Sequence, residues 1–360
     1  MTDGTNKYVE VSETLREEIL GGKYSLATAF PSEMALAKRF GTARATIRRA
    51  LGLLRNEGLV GSRQGAGTFV TRAAKSRKIA FVVPSVSRFE LFPPILSTLN
   101  RLARDAGYTL LFRDGYSADP AVRREEVRRL AAELVREGVS GVIYQPLDYS
   151  SDEGELNRTV LSAFDRAKIS VVLLDSDIVP MPARSGYDLV CIDNEQAGAV
   201  LARHLLDCGA KRIGFVSRTT WWPNEMARLR GVQFAVMAQG RRWTPDNVLF
   251  VDSEALMAGQ RLPERLRFDA FVCADDALAA ELKTAIGRAG REVPKDVMLA
   301  GFDDVKIARL MTPSLTTMRQ PCEALAAAAF GRLLERIACP HLLPAKILLP
   351  AVLVKRESTR

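Results

Sequence analysis

The chain has 360 residues, enough for two or three domains, and 47% of them are hydrophobic, enough for a sizeable core. Its net charge is +9, and residues 1–78 alone carry +7 of it. A basic module joined to a nearly neutral body suits a polyanion as the module's partner, and on charge alone it suits a solvated basic surface equally well. Five cysteines in no metal-ligand spacing, with only two histidines, argue against a zinc site and against a disulfide framework. There is no basic-then-apolar leader and no apolar run of membrane-spanning length, so a cytoplasmic protein with no membrane partner, no cofactor and no metal is expected.

In chain order, residues 9–20 place Val9, Val11, Leu15, Ile19 and Leu20 near one helix face, with Gly21-Gly22 as the stop. Ser32 is a natural N-cap for a second helix carrying Met34, Leu36 and Ala37. Thr42 is expected to cap a third helix over 43–57, with Ile47, Leu51 and Leu54 inward and Gly58 at its end. Residues 59–70, LVGSRQGAGTFV, read as a β-hairpin around a glycine-rich turn. Residues 71–78, TRAAKSRK, read as a linker.

Beyond it, apolar strands alternate with amphipathic helices. The strands are expected at 79–84, 108–112, 141–146 and 170–175, then at 188–193, 212–217, 248–251, 268–274 and 297–303. That rhythm predicts an α/β body of parallel sheets covered on both faces. Two such runs, joined near 176–188, predict two lobes, each with a doubly wound parallel sheet. The domain division is therefore 1–70, a linker 71–78, and a two-lobed domain 79–355.

The third helix puts Arg44, Thr46, Arg48 and Arg49 near its N-terminus, the end that recognition helices present to the major groove. Arginine forks match guanine O6/N7, and hydroxyls such as that of Ser32 suit phosphates. In the hairpin, Gly65 and Gly67, flanked by Arg63 and Gln64, permit close approach of backbone to a minor groove. The stretch PSEMALAKRFGTARATIRRALGLLRNEGLVGSRQGAGTFV resembles the winged helix-turn-helix domains of the gluconate-repressor (GntR) family: Pro31-Ser32-Glu33, Arg44 with Thr46, and Gly65 to Val70 fall in the family's order. Met34 stands where that family often has Arg, and Ser25-Leu26-Ala27 replaces its usual Pro-Gly. The resemblance implies binding to double-stranded operator DNA, with Arg44 and Arg48 the candidates for base edges.

The segments IDNEQAGAVLARHLLDCGAKRIGFVS, ARLRGVQFAV, CADDALA, VPKDVMLAGFDD and PSLTTMRQP resemble, in that order, the effector domain of the lactose/galactose-repressor family, which has a periplasmic-binding-protein-like fold. The pairing of the two modules is similar to the arrangement of arabinose repressors. Ligands of such folds lie between the lobes at strand C-termini. The resemblance implies effector contacts at Asp175, Arg228, Asp275, Asp303 and Gln320, where carboxylates accept paired hydroxyls and an arginine donates in a fork. Trp221, Trp222, Phe89 and Phe92 are candidates for stacking on a sugar's C–H face, with core packing or a helix staple as the alternative roles; Glu90 and Asp114 complete the set. Asp276 stays open between ligand contact and helix cap.

The expectation is thus a homodimeric repressor of carbohydrate-utilisation genes whose operator affinity changes when a sugar binds between the lobes. The competing reading is a sugar-modifying enzyme or a sugar-binding protein using the same cleft. No GxSxG, P-loop or Ser/His/Asp pattern supports catalysis.

Overall fold

The structure is a computed structural model. It describes residues 4–20, 23–24, 30–57, 59–63, 67–70, 77–83, 90–114, 120–147, 151–219, 223–259 and 268–360. The N-terminal module comprises α1 (Gly4–Leu20), α2 (Glu33–Phe40), α3 (Arg44–Asn56) and an antiparallel hairpin of β1 (Val60–Arg63) and β2 (Gly67–Val70). Its core is one apolar cluster: Val11, Leu15 and Ile19 from α1, Leu36 from α2, Ile47, Leu51 and Leu54 from α3, closed by Val60 and Val70. Helix α1 begins five residues before the expected start. There Lys7 is exposed and Tyr8 only half-buried, and hydrophobic periodicity registers only the buried face. Thr42 is not the cap of α3. Ala43 occupies the N-cap and makes no side-chain cap bond, so the helix start relies on packing rather than on a hydroxyl.

The first lobe is a six-stranded, wholly parallel sheet in the order β4-β3-β5-β6-β7-β13. Its strands are β3 (Lys78–Val82), β4 (Thr109–Arg113), β5 (Gly141–Tyr144), β6 (Ser170–Leu174), β7 (Asp188–Ile192) and β13 (Lys346–Leu349). Helices α4 (Phe92–Asp105), α5 (Pro120–Glu137), α6 (Ser151–Ala167) and α12 (Cys322–Ala338) accompany it. The second lobe has the order β9-β8-β10-β11-β12-β14. It is built from β8 (Ile213–Arg218), β9 (Val248–Val251), β10 (Ala270–Cys273), β11 (Met298–Asp303), β12 (Thr316–Arg319) and β14 (Val352–Val354). Only β14 runs antiparallel, so this sheet is mostly rather than wholly parallel. Its helices are α7 (Asn194–Asp207), α8 (Pro223–Ala238), α9 (Ser253–Met257), α10 (Asp276–Arg288) and α11 (Lys306–Leu310).

Two expectations need correction. Strand β7 belongs to the first lobe, not the second. Its residues Asp188 to Val190 pair with β6, and the chain changes lobes after it, at Asp193, rather than near 176–188. Buried strands look alike in sequence whichever sheet they join, so the strand rhythm could not place this boundary. The chain also crosses at Gln320-Pro321, where β12 of the second lobe leads into α12 of the first, and at Pro350-Ala351, between β13 and β14. The backbone N–H of Asp193 donates to the carbonyl of Leu349 at 2.9 Å, tying the first crossing to the third. Packing also continues past residue 355. Ser358 Oγ donates to the Leu299 carbonyl at 2.6 Å, and the buried Thr359 hydroxyl lies 2.8 Å from that of Thr316.

Helices α7 and α8 approach closely because glycine faces the partner backbone on each. A Cβ on Gly198 would lie 2.1 Å from the Arg228 carbonyl oxygen, and one on Gly231 1.9 Å from that of Glu195. No side chain could relieve such an overlap, because the obstructing atoms are backbone. Gly198→Ala is therefore expected to destabilise the second lobe by about 1–3 kcal/mol, read as a lower urea midpoint with an unchanged slope. A midpoint equal to wild type would show that the helix pair yields without cost.

Candidate functional sites: a helix–wing surface and an acidic cleft

On α2, Ser32 caps the helix start by accepting from the Ala35 N–H at 3.2 Å. Across from it, Arg44 and Arg48 lie one turn apart on α3 with side chains 63% and 67% exposed, open to a large partner. Both reach Glu33: Arg48 Nη2 lies 3.2 Å and Arg44 Nη2 3.7 Å from its carboxylate. Arg49, also exposed, stacks its guanidinium 4.8 Å from the ring centre of Tyr8. Thr46 is half-buried. Met34, where the family pattern often has arginine, is exposed. In the hairpin, Arg63, described by its backbone, pairs with Gly67, whose φ of +78° is the left-handed conformation that glycine adopts without strain. Gln64 and Gly65 lie outside the described residues.

The second site lies where strand C-termini of the two lobes meet. The first lobe contributes Phe92, Ile95, Gln145 and Asp175. The second contributes Asn224, Glu225, Arg228, Asp275 and Asp303, and Gln320 sits at the crossing between them. The enclosed space is about 50 Å³, well under the 300 Å³ or more usual for ligand pockets. The lobes are in contact: Asn224 Nδ2 donates to Asp175 Oδ2 at 2.9 Å, the Lys306 N–H to Glu90 Oε2 at 2.8 Å, and Arg230 reaches the Met181 sulfur at 3.4 Å. A ligand larger than a few atoms must therefore enter with the lobes apart. A groove of about 660 Å³ opens at the other end of the first lobe's sheet, beside Ser140, Ser170 and Asp188. There the Asp188 carboxylate is fully engaged by Arg332, Arg336 and the Ala345 N–H. Convergent open polar groups, rather than volume, distinguish the cleft.

At the cleft's centre the buried Arg228 donates Nε–H to Asn194 Oδ1 at 2.8 Å and Nη1–H to the Ala274 carbonyl at 2.6 Å. Its Nη2 lies 3.6 Å from Asp303, and its guanidinium covers the Phe302 ring at 4.4 Å. Asp303, at a φ of 108°, also accepts from Gln320 Nε2 at 2.7 Å. Asp275 caps α10, accepting from the Leu278 N–H at 2.7 Å, and pairs with Arg218. Asp276 is neither cap nor cleft ligand. It lies fully buried behind, accepting from Thr317 Oγ1 at 2.6 Å and the Val305 N–H at 3.0 Å. Asp175, at a φ of 70°, receives both amides, Gln145 Nε2 at 3.3 Å and Asn224, on Oδ2. Its Oδ1 and the Gln145 Oε1 are buried with no partner.

Of the sequence candidates, Phe92, Asp175, Arg228, Asp275, Asp303 and Gln320 come together here. Glu90 does not; it bonds the start of α11 from across the cleft, so its role in this arrangement is to join the lobes. Asp114 directly follows β4, is exposed, and is not among the residues that line the cleft. Phe89, Trp221 and Trp222 lie outside the described residues. Sequence reasoning missed Gln145, Asn224, Glu225 and Asn194. Two signals were there: a polar residue directly ending the buried strand GVIY, and residues three and four before Arg228, which share its helix face.

Residues 7–70 match the family described as bacterial regulatory proteins, gntR family, and residues 202–359 match the periplasmic binding protein-like domain. The chain thus joins a gntR-type DNA-binding domain to a periplasmic-binding-protein-like domain. It is 29% identical over 350 residues to the arabinose metabolism transcriptional repressor of Geobacillus stearothermophilus, covering 92% of this chain and 91% of that one. It is 28% identical over 253 residues to the HTH-type transcriptional repressor PurR of Klebsiella pneumoniae (strain 342), covering 68% and 69%. The fold is shared with the transcriptional regulator CelR–cellobiose complex, at a TM-score of 0.68 and 22% identity over 91% of this chain and all of that one.

Burial pushes the Glu225 carboxyl up to about 7, with nearby Asp275 adding to the rise and the Ser217 hydroxyl bond opposing it. Burial likewise pushes Asp303 up to about 6, against the pull of Arg228. In the unfolded chain such carboxyls titrate near about 4, so the folded state holds protons that unfolding releases. Their contribution to stability is full below that value and is lost as pH rises through about 6 and about 7. Glu225→Gln should therefore gain melting temperature relative to wild type as pH rises from about 5 to about 8. Parallel melting curves for the two proteins across that range would refute the burial argument.

Proposed function

We propose that this chain is a sequence-specific DNA-binding repressor of carbohydrate-utilisation genes, released or engaged by an uncharged polyhydroxylated effector held between its lobes. One observation carries the reading. A winged helix-turn-helix with exposed guanidinium groups on its third helix is joined to a two-lobed domain whose cleft presents open hydrogen-bond acceptors. The relatives named above, repressors by name, support it.

The effector's chemistry follows from the charges. Among the described residues, the arginine lining the cleft, Arg228, is already engaged by Asn194, Ala274 and Asp303, and the nearby Arg218 is paired with the cleft residue Asp275. Asp175 Oδ1 and Gln145 Oε1 accept only, so they call for hydroxyl donors rather than a phosphate or carboxylate. Ser32, Arg44, Thr46, Arg48, Arg49 and the wing, residues 63–67, form the DNA surface. The domains divide as 1–70, a short linker, and a two-lobed body. The chain acts as a cytoplasmic homodimer, joined through α4 and the first lobe, so that two modules meet a two-fold operator. It acts by binding rather than by catalysis. No described helix is long and apolar enough to cross a membrane.

Two measurements test this. Arg48→Ala is expected to weaken binding to a duplex selected from a random library by about 1–3 kcal/mol, read by fluorescence anisotropy, while leaving effector-induced thermal stabilisation intact. Among pentoses, hexoses, disaccharides, their phosphates and uronates, only uncharged sugars should raise the melting temperature. A wild-type chain that selects no sequence sinks the DNA reading; stabilisation by a sugar phosphate but not by its parent sugar sinks the effector reading.

A further inference from the structure

The third helix gathers Arg44, Arg48 and Arg49 within two turns, and Arg44 and Arg48 share a face. Like charges so placed repel and would splay. Among the described residues, the carboxylate that bridges Arg44 and Arg48 is Glu33, the first residue of α2, held beside them by the Ser32 cap and the shared core of α2 and α3. Its engagement of Arg48 is two-pronged: Nε–H donates to Oε1 at 3.4 Å and Nη2–H to Oε2 at 3.2 Å. A guanidinium has two such edges. Glu33 occupies the Nε/Nη2 side, which leaves Nη1 and the second Nη2 hydrogen facing outward, the edge that matches guanine O6 and N7. The Arg48 fork is thereby oriented before any DNA arrives. Arg48 draws the Glu33 carboxyl below its usual range, so it stays ionised at neutral pH.

We infer that Glu33 is a positioning residue for base recognition, holding Arg48 by one edge and Arg44 by charge, and that its carboxylate makes DNA discrimination sharper by opposing contacts that use these arginines merely as phosphate clamps. The second half follows from electrostatics. An arginine that swings away to grip a phosphate strands an anion beside a polyanion, whereas one that reads a base end-on keeps its partner. The inference rests on α3 being the recognition helix, and it assigns a role in DNA recognition to a residue that need not touch DNA.

The test uses the full chain. A duplex preferred by wild type is selected from a random-sequence library. Anisotropy titrations then compare that duplex with a random one for wild type, Glu33→Gln, Glu33→Asp and the Arg48→Ala/Glu33→Gln pair, between about 50 and 200 mM salt. Glu33→Gln is expected to bind the random duplex more tightly, with a salt slope steeper by about one, because a freed arginine finds a phosphate. Its ratio of selected to random affinity should fall about tenfold, the size of one arginine–guanine contact. Glu33→Asp should recover part of the ratio. In the Arg48→Ala background the same change should lower the ratio much less than in wild type, since only the weaker hold on Arg44 is left to lose. The melting temperature should hold, because exposed ion pairs add little to stability.

A Glu33→Gln ratio equal to wild type overturns the inference. So does an equal loss of both affinities with a lowered melting temperature, which would mark a structural role. The wild-type selection alone tests the DNA reading beneath it, so the two failures are distinct.

Discussion

The second lobe is organised around one buried guanidinium. Arg228 lies almost wholly out of water, and a charge so placed is tolerated only when its donors are satisfied. Its partners come from different parts of the chain: Asn194 at the first crossing, the Ala274 carbonyl at the end of β10, and Asp303 with the Phe302 ring at the end of β11. Satisfying that one group therefore fixes where strand ends and helix starts meet. Gly198 and Gly231 let the helix carrying it come close enough to do so. Burial makes the nearby Glu225 and Asp303 carboxyls reluctant to ionise, so each can offer a hydroxyl donor as well as an acceptor oxygen.

The same geometry links the cleft to the rest of the molecule. Asp175 uses one oxygen to join the lobes through Asn224 and leaves the other open. Opposite, the turn from Asp303 to Lys306 runs from the Arg228 pair to the Glu90 carboxylate of the first lobe. Within it, Asp304 is gripped by Arg309, Arg319 and Arg356, and the Val305 N–H is bonded to Asp276. Occupancy of the cleft and closure of the lobes thus act on overlapping hydrogen bonds, as a domain that converts binding into rearrangement requires. Three crossings at Asp193, Gln320-Pro321 and Pro350-Ala351 confine the relative motion of the lobes to short segments.

Much of this was legible in residues. The basic first fifth of the chain, the Ser32 cap, the inward Leu51 and Leu54 and the glycine-marked hairpin all appear where local pattern placed them. So do nine parallel strands, β3 to β11, because a strand buried on both faces must be continuously apolar, whereas the parallel β12 (TTMR) and β13 (KILL) carry no such run and were not anticipated. The acids at strand ends, Asp175, Asp275 and Asp303, were readable for a related reason: a charged residue directly after a buried strand needs a special purpose.

What local pattern determined was the kind and order of elements and the chemistry available at their ends, because periodicity, capping and charge are properties of neighbours in sequence. Which lobe owns β7, that α12 and β13 return to the first lobe, and that the chain's last residues seal the second were decided by tertiary structure. So were the pairing of Glu90 with Lys306, the exclusion of Asp114, and the hold of Glu33 on two arginines. These depend on which separate elements meet, and hydrogen bonds and ion pairs between elements, from 15 residues apart for Glu33 and Arg48 to 216 for Glu90 and Lys306, leave no period in the chain that makes them.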